Sequence, residues 1–241
     1  MKTTIVLAIA AAALHAQTAD ELVRRNIAAH GGIDKIKSIH SFRMTGRLQA
    51  GSFTAQVGKE GLAPNMLRQT FTVQGMTEID AYDGATGWKI SPFEGRKDPE
   101  LMGEDDVRQL MEDADFYGPL IDYQQKGNKV EYLGHDTVDG DDVLKLKVTL
   151  KNGDLMYYYL DPETFLEIRI ESVRYIRGAV QEDFREPGSY KQAGGIYFPF
   201  SYETGSKQNP LNTTKLTVDK IEVNVPLEKS HFQMPETKGG K

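Results

Sequence analysis

Cysteine is absent from the whole chain of 241 residues. This absence excludes disulfides, thiolate metal ligands and cysteine nucleophiles, so the fold must be held together by packing. Lysine and arginine form no dense cluster, and the formal net charge is −6. This charge balance argues against nucleic acid as a partner.

The first sixteen residues have the three parts of a secretory signal peptide. Lys2 is followed by an apolar run over residues 5–14 and then by His15 and Ala16. A run of about ten apolar residues is too short to span a bilayer. We expect cleavage after Ala16 and a mature chain, residues 17–241, that forms one domain. No cysteine follows the expected cleavage site, which excludes a lipid-anchored lipoprotein.

The sequence also lacks the motifs that common enzyme classes require. It has no Gly-x-Ser-x-Gly elbow and no phosphate-binding Gly-x-x-x-x-Gly-Lys loop. The histidines of the mature chain stand at positions 30, 40, 135 and 231, without the spacing that places two zinc ligands on one helical face. We therefore expect no catalytic residue, no metal site and no cofactor.

Two acidic segments have simpler explanations than catalysis or metal binding. The run Glu104-Asp105-Asp106 stands where a helix is predicted to begin, and carboxylates stabilise the positive end of a helix dipole. The segment from Asp136 to Asp142 has enough oxygen ligands for calcium but not the EF-hand order. It predicts a hairpin turn instead.

Alternating hydrophobicity predicts most of the fold. Apolar residues occupy every second position over 144–150, an Asn152-Gly153 turn follows, and the alternation resumes over 156–160 and again over 166–171. These segments predict an antiparallel meander with one apolar and one solvated face. Similar segments over 41–90 are expected to pair in order, and others follow up to Val223.

Helical patterns occur at two places. Thr18 stands three residues before Glu21 and predicts the start of a helix that ends at Gly31-Gly32, before a short second turn. Between residues 91 and 123, prolines and glycine break the strands. Apolar residues recur there at helical spacing, namely Val107, Leu110, Met111 and Ala114.

The resulting fold class is mainly β (α+β). We predict a single curved antiparallel sheet of about 11 strands that forms an unclosed half-barrel with a helical lid. Two short helices are too few to cover the apolar face of such a sheet, so a partly unfilled hollow is expected between them, of the kind that binds small apolar ligands. The alternative is that side chains fill this space completely.

The candidates for the lining of this hollow fall on the inward alternation of the strands or on the apolar stripe of the lid helix. They are Phe42, Met44, Phe53, Phe71, Trp88, Leu110, Met111 and Phe116. Each of them could also be an ordinary core residue. Burial of an acyl chain in such a hollow gains about 0.8 kcal/mol per CH₂ group.

Several segments, in this order, resemble the LolA-like group of bacterial outer-membrane lipoprotein-sorting proteins. They are residues 30–39 (HGGIDKIKSI), 82–88 (YDGATGW), 159–164 (YLDPET), 195–199 (GIYFP) and 224–227 (NVPL), with Phe232 near the end. The resemblance covers nearly the whole mature chain and is closer to a divergent branch than to the best-known carriers. It implies an eleven-stranded unclosed barrel with a helical lid.

The resemblance also implies a function. It predicts a monomeric periplasmic carrier whose apolar cavity holds the acyl chains of lipoproteins, or another lipid, between inner and outer membrane. Inner- and outer-membrane transfer proteins would be its partners. Two alternatives stay open: an envelope sensor or scaffold that binds a protein partner, and a half-barrel enzyme acting on an apolar small molecule.

Overall fold

The computed structural model describes residues 17–176 and 178–236, so the predicted signal peptide lies outside the described residues. The α-helices are Ala19–Ala29 (α1), Ile33–Lys37 (α2) and Glu104–Ala114 (α3). The first strands are Ser41–Ala50 (β1), Phe53–Leu62 (β2), Met66–Val73 (β3), Met76–Tyr82 (β4), Gly87–Ser91 (β5) and Arg96–Leu101 (β6). They are followed by Lys129–Val138 (β7), Asp141–Thr149 (β8), Leu155–Leu160 (β9), Glu167–Ile176 (β10) and Ala179–Gly188 (β11). The last are Lys191–Ala193 (β12), Ile196–Phe198 (β13), Ser201–Ser206 (β14) and Asn209–Val223 (β15).

Helix α1 begins and ends where the sequence predicts. The Thr18 hydroxyl accepts a hydrogen bond from the backbone N–H of Glu21 at 3.2 Å. At the other end, Gly31 and Gly32 have φ values of +121° and +94°, which a residue with a side chain rarely adopts. None of the helices in the described part of the chain is long and apolar enough to cross a membrane.

Thirteen of the strands form one antiparallel sheet that curves without closing. Its order is β6-β5-β4-β3-β2-β1-β15-β14-β11-β10-β9-β8-β7. The predicted in-order pairing of the first five strands and the predicted meander of β8, β9 and β10 are both confirmed. The hairpin turn predicted between Asp136 and Asp142 joins β7 to β8.

The sheet has more strands than the sequence suggested. Strand β6 contains Pro99, a residue that we expected to interrupt the sheet. Proline is tolerated there because β6 is an edge strand and its outer side needs no hydrogen-bond donor for a neighbour. The tight hairpin of β12 and β13 forms a separate two-stranded sheet.

Two helices pack on the same face of the sheet, which we call the inner face. Leu22 and Val23 of α1 share a buried cluster with side chains of β8 and β9, such as Leu146. Leu110 and Ala114 of α3 pack with the buried residues of β3 and β4. The strand registers place both sets of strand residues on one side. Apolar packing therefore fixes α1 and α3 over opposite walls of the half-barrel.

One end of the half-barrel is closed by a small apolar cluster. Ile36, Ile39, Ile121 and Ile196 bury one another there, and the β12–β13 hairpin lies beside Val223. Three of the segments that carried the family resemblance, residues 30–39, 195–199 and 224–227, are joined by hydrogen bonds at this end. The Asn224 side-chain amide donates to the Ser38 carbonyl at 3.2 Å, and the Tyr197 backbone N–H donates to the His30 carbonyl at 2.9 Å. These segments therefore hold the barrel end together.

Candidate functional site

Among the residues that the structure describes, no helix packs closely on the inner face of the central strands. α3 packs on β3, β4 and β5, and α1 packs on β7, β8 and β9. The inner side chains between them keep part of their surface accessible, including Met44, Leu48 and Leu216. We call the space in front of β11, β14, β15, β1 and β2, beneath α3, the hollow.

The predicted lining residues lie at several different places. Four of them, Phe42, Met44, Phe53 and Phe71, share the inner face through the registers of β1, β2 and β3. Phe116 reaches the same face at the closed end, where its ring centroid lies 5.5 Å from that of Phe42.

The two residues predicted on α3 have different environments. Leu110 is buried against Leu67 and Tyr82, so it anchors the helix to the sheet. Met111 is 49% exposed. The apolar stripe of α3 is therefore divided between packing on the sheet and contact with solvent.

Trp88 lies on the opposite, outer face, which corrects the sequence interpretation. It pairs with Ala81 of β4, whereas the inner positions of β4 are those of Tyr82 and Asp80. Its indole N–H donates to the backbone carbonyl of Phe232 at 2.7 Å, and both side chains are almost inaccessible. Because β5 has only five residues, its alternation does not settle which side chains face inward. A shift of its register by one residue exchanges the two faces.

The open end of the hollow carries accessible aromatic rings. The Phe53 and Phe71 rings stack with centroids 5.9 Å apart, and the Phe93 ring meets Phe71 edge-on at 6.1 Å. Phe53 is 43% exposed, and Met76, which pairs with Val73 in the β3–β4 hairpin, is 45% exposed. Accessible apolar rings at the entrance of a concave face offer a surface for a hydrocarbon chain.

Helix α3 is tied by ion pairs to the wall on which it does not pack. Arg108 of α3 donates to the two carboxylate oxygens of Asp154 at 2.5 and 3.0 Å, and Asp154 lies in the turn between β8 and β9. Arg174 of β10 lies 2.8 Å from the Glu112 carboxylate. The helix therefore spans the hollow, with apolar contacts on one side and charged contacts on the other.

The inner face also carries charges that the alternation pattern did not predict. Lys59 stands between Met44 and Gln69, and Arg185 stands between Ile170 and Thr204. Part of the hollow is therefore polar, and the expected apolar lining describes mainly its open end.

Asp80 is a further charged group on this face. Burial, reinforced by the charge of Glu78, raises the pKa of Asp80 to about 6. Its partner across the strands is Lys89 of β5. This carboxyl group therefore titrates near neutral pH.

In the predicted alternation over 166–171, Glu167 falls on the solvated face between Leu166 and Ile168, but the structure buries it. The register of β10 shifts between Glu167 and Arg169, and this bulge turns the Glu167 side chain to the inner face. Its carboxylate lies 2.9 Å from His30 Nε2, and it accepts hydrogen bonds from Asn26 Nδ2 at 2.8 Å and the Tyr190 hydroxyl at 2.9 Å. The bulge therefore creates a buried polar network that no local sequence pattern reveals.

The network favours the charged forms of both Glu167 and His30. Burial alone would raise the pKa of Glu167, but His30 and Asn26 outweigh it and hold the pKa at about 2. Burial alone would lower the pKa of His30, but the Glu167 hydrogen bond and charge raise it above its ordinary value. Because His30 Nδ1 also contacts the Tyr197 carbonyl at 2.8 Å, the network joins α1, β10 and β13.

Two surface clefts lie outside the hollow. One, of about 280 Å³, lies between α1 and the loop at 120–125. The other, of about 360 Å³, lies beside Gly58 on the outer face and is lined mainly by threonines and polar groups. Both are open to solvent, and neither includes any of the eight predicted lining residues.

The fold is similar to three solved structures over most of its length. A LolA superfamily protein from Nitrosomonas europaea gives a TM-score of 0.61 at 11% identity, over 90% of this chain and 98% of that chain. An outer membrane lipoprotein-sorting protein domain from Vibrio parahaemolyticus gives 0.60 at 15% identity, over 88% and 94%. A DUF1329 family protein from Desulfovibrio piger gives 0.58 at 12% identity, over 90% and 98%.

No protein-family model and no curated protein sequence matches the chain. The likeness therefore rests on the course of the backbone and not on sequence identity. At this level it confirms the resemblance found in the sequence: the chain has the LolA-like fold.

Proposed function

We propose that this protein is a periplasmic carrier or lipid-binding module that holds acyl chains, of lipoproteins or of another lipid, non-covalently in the hollow. Its work is binding and release, without catalysis. The exchange partners would be membranes or the lipoprotein transfer proteins embedded in them.

The accessible apolar lining at the open end of the half-barrel supports this proposal most directly. Phe53, Phe71 and Phe93 present ring surface on a concave face, where an aliphatic chain would bury CH₂ groups at about 0.8 kcal/mol each. Met44 lies deeper on the same face, and its flexible thioether can fill the space that a departing chain leaves. The fold shared with lipoprotein-sorting domains agrees with this use.

A blocking substitution tests the proposal. Met44→Trp places a large ring in the hollow, whereas Thr45→Trp places the same ring on the exposed outer face one residue away. We expect Met44→Trp to weaken the binding of an apolar fluorescent dye and of a diacylated lipopeptide by about tenfold or more, with Thr45→Trp close to wild type.

Mass spectrometry of an organic extract of the purified protein provides the second measurement. Co-purified lipid in the wild-type sample and its loss from Met44→Trp would agree with the proposal. A wild-type protein that neither carries lipid nor binds dye or lipopeptide would refute it.

A second candidate is an envelope sensor or scaffold that docks a protein partner. Exposed apolar side chains near the tips of two neighbouring hairpins favour it: Tyr175 is 62% exposed, Val180 56% and Leu211 96%. In that case partner capture would survive Met44→Trp and would be lost when Tyr175 and Leu211 are changed to serine.

A further inference from the structure

The hollow contains two cationic side chains on opposite walls. Lys59 projects from β2 on the inner face, at the level of Met44. Arg185 projects from β11 on the same face, and its guanidinium lies 6.0 Å from the Tyr202 ring centroid. Although both residues belong to the sheet interior, both keep part of their surface accessible.

Within the described residues, neither cation has an ion pair or a side-chain hydrogen bond of its own. The ion pairs and side-chain hydrogen bonds found over 17–176 and 178–236 include other inner-face groups, such as Arg174 with Glu112, but not Lys59 or Arg185. The carboxylate that acts on both is that of Asp113, on α3. Two positive charges therefore share one negative charge beneath the lid.

The electrostatics agree with this arrangement. Burial lowers the pKa of Lys59, and Arg185 lowers it further, with only Asp113 opposing them. Burial alone would raise the pKa of Asp113, but Lys59, Arg185 and Arg174 together lower it. The other groups acting on Arg185 are Tyr202, Tyr158 and the buried carboxylate of Glu167, which is already engaged by His30.

An unmatched buried cation is costly unless an anion or several hydrogen bonds compensate it. A carboxylate or phosphate oxygen placed between an ammonium and a guanidinium would make short charge-assisted hydrogen bonds. Phe53 lies on β2, the same strand as Lys59, and Phe71 lies on the neighbouring strand β3. Both rings are nearer than Lys59 to the open end of the hollow. A ligand with one anionic end and one aliphatic end matches this arrangement, in which the cations lie deeper in the hollow and the aromatic rings lie at its open end.

We propose that the hollow selects an anionic single-chain amphiphile, whose carboxylate or phosphate group lies between Lys59 and Arg185 while its aliphatic chain extends towards the aromatic open end. This inference rests on the proposed lipid-binding function and specifies the chemistry of the guest. It orients the guest with the charged group inside and the hydrocarbon towards the entrance.

The test uses three ligands that share one hydrocarbon chain: laurate, dodecyl phosphate and dodecanol. Each is titrated for displacement of an apolar fluorescent dye from the full-length protein, with laurate and dodecyl phosphate below their micelle-forming concentrations and dodecanol below its solubility limit. Because the chain is constant, the difference in affinity reports the head group alone. We expect one or both anions to bind about 10- to 100-fold more tightly than dodecanol, which corresponds to a charge-assisted hydrogen bond. The preferred anion identifies the group as carboxylate or phosphate.

Charge-removing variants locate the effect. Lys59→Met and Arg185→Met should each remove most of the preference for the anion and leave dodecanol binding unchanged. Lys129→Met, which removes an exposed strand lysine without an ion pair among the described residues, should bind like wild type. Asp113→Asn removes the competing carboxylate and should tighten anion binding severalfold, a gain that loss of folding cannot produce.

The outcomes separate this inference from the function on which it rests. If all three ligands bind with equal affinity, the lipid-binding function stands and the anion site is overturned. If Lys59→Met and Asp113→Asn both leave the anion preference unchanged, the site is overturned as well. If none of the three ligands displaces the dye, the anion site is overturned too, whereas the lipid-binding function is decided separately by co-purified lipid and by lipopeptide binding.

Discussion

Replacing Glu167 by glutamine tests the buried network beneath α1. Glutamine keeps the shape of a protonated glutamic acid but cannot carry its charge. The difference between the ordinary pKa of 4.5 and the value of about 2 in the fold corresponds to about 3 kcal/mol in favour of the ionised form. We expect Glu167→Gln to lower the free energy of unfolding by about that amount at pH 5.5, because the side chain is only 10% exposed and solvent screens it little.

The pH dependence follows from the two pKa directions. The contribution of Glu167 is complete above its ordinary pKa of 4.5 and is lost as the pH falls towards 2, because the folded pKa lies below the unfolded one. The pKa of His30 is raised, so its contribution is complete below 6.5 and is lost as the pH rises through the folded value. The difference between wild type and Glu167→Gln should therefore be largest between about pH 4.5 and 6.5.

Urea unfolding followed by far-ultraviolet circular dichroism, at pH 3, 5.5 and 8.5, measures this difference. Glu163→Gln is the matched control, since Glu163 is an exposed carboxylate in the nearby turn, and it should change stability by less than about 0.5 kcal/mol. A cost for Glu167→Gln below about 1 kcal/mol at pH 5.5, or an equal cost at pH 3, would refute the reasoning.

Four further predictions concern the inner face, the lid and, in two cases, the outer face. Asp80→Asn should raise the free energy of unfolding by about 1–2 kcal/mol at pH 7.5, measured by urea unfolding, because the raised pKa makes the ionised carboxylate unfavourable above pH 6. This gain should fade as the pH drops to about 4. A gain independent of pH would contradict the reasoning. Arg108→Met leaves the buried Asp154 carboxylate without its ion pair, so amide hydrogen exchange in α3 should become about tenfold faster relative to that in α1. Equal exchange in α3 of the wild type and of Arg108→Met would show that the ion pair does not hold the helix. Trp88→Phe removes the hydrogen bond to the Phe232 carbonyl, and limited proteolysis should cut the chain earlier within residues 226–236, with a loss of about 1 kcal/mol. Since Trp88 is the only tryptophan, dye or lipid in the hollow should leave the wild-type emission maximum unchanged.

The elements of this fold were predictable where local chemistry determines them. The alternation over 144–160, the Asn152-Gly153 turn and the Thr18 cap each depend on residues close in sequence, and each prediction is confirmed. The helix carrying Leu110 was found because its apolar spacing is independent of its partners. Strand β6 was missed, because whether a proline is tolerated depends on which side of the sheet lacks a neighbour.

The candidate site was less predictable for the same reason. Four inner-face aromatic and methionine residues were identified by alternation, but Trp88 was assigned to the wrong face in a strand of five residues. Glu167 turns inward through a bulge, and the two cations in the hollow, Lys59 and Arg185, come together only across the curved sheet. Spacing within one strand contains no information on which wall of a half-barrel faces another.

Strand β15 lies in the middle of the sheet although it is the last strand of the described chain. It pairs Phe42 with Val223 on one side and Tyr202 with Leu216 on the other. Before this strand is synthesised, β1 and β14 are unjoined edges and the two meanders cannot form a common sheet. Such distant pairings form late and slowly. The growing polypeptide therefore cannot complete its thirteen-stranded sheet until nearly all of the strands have been translated.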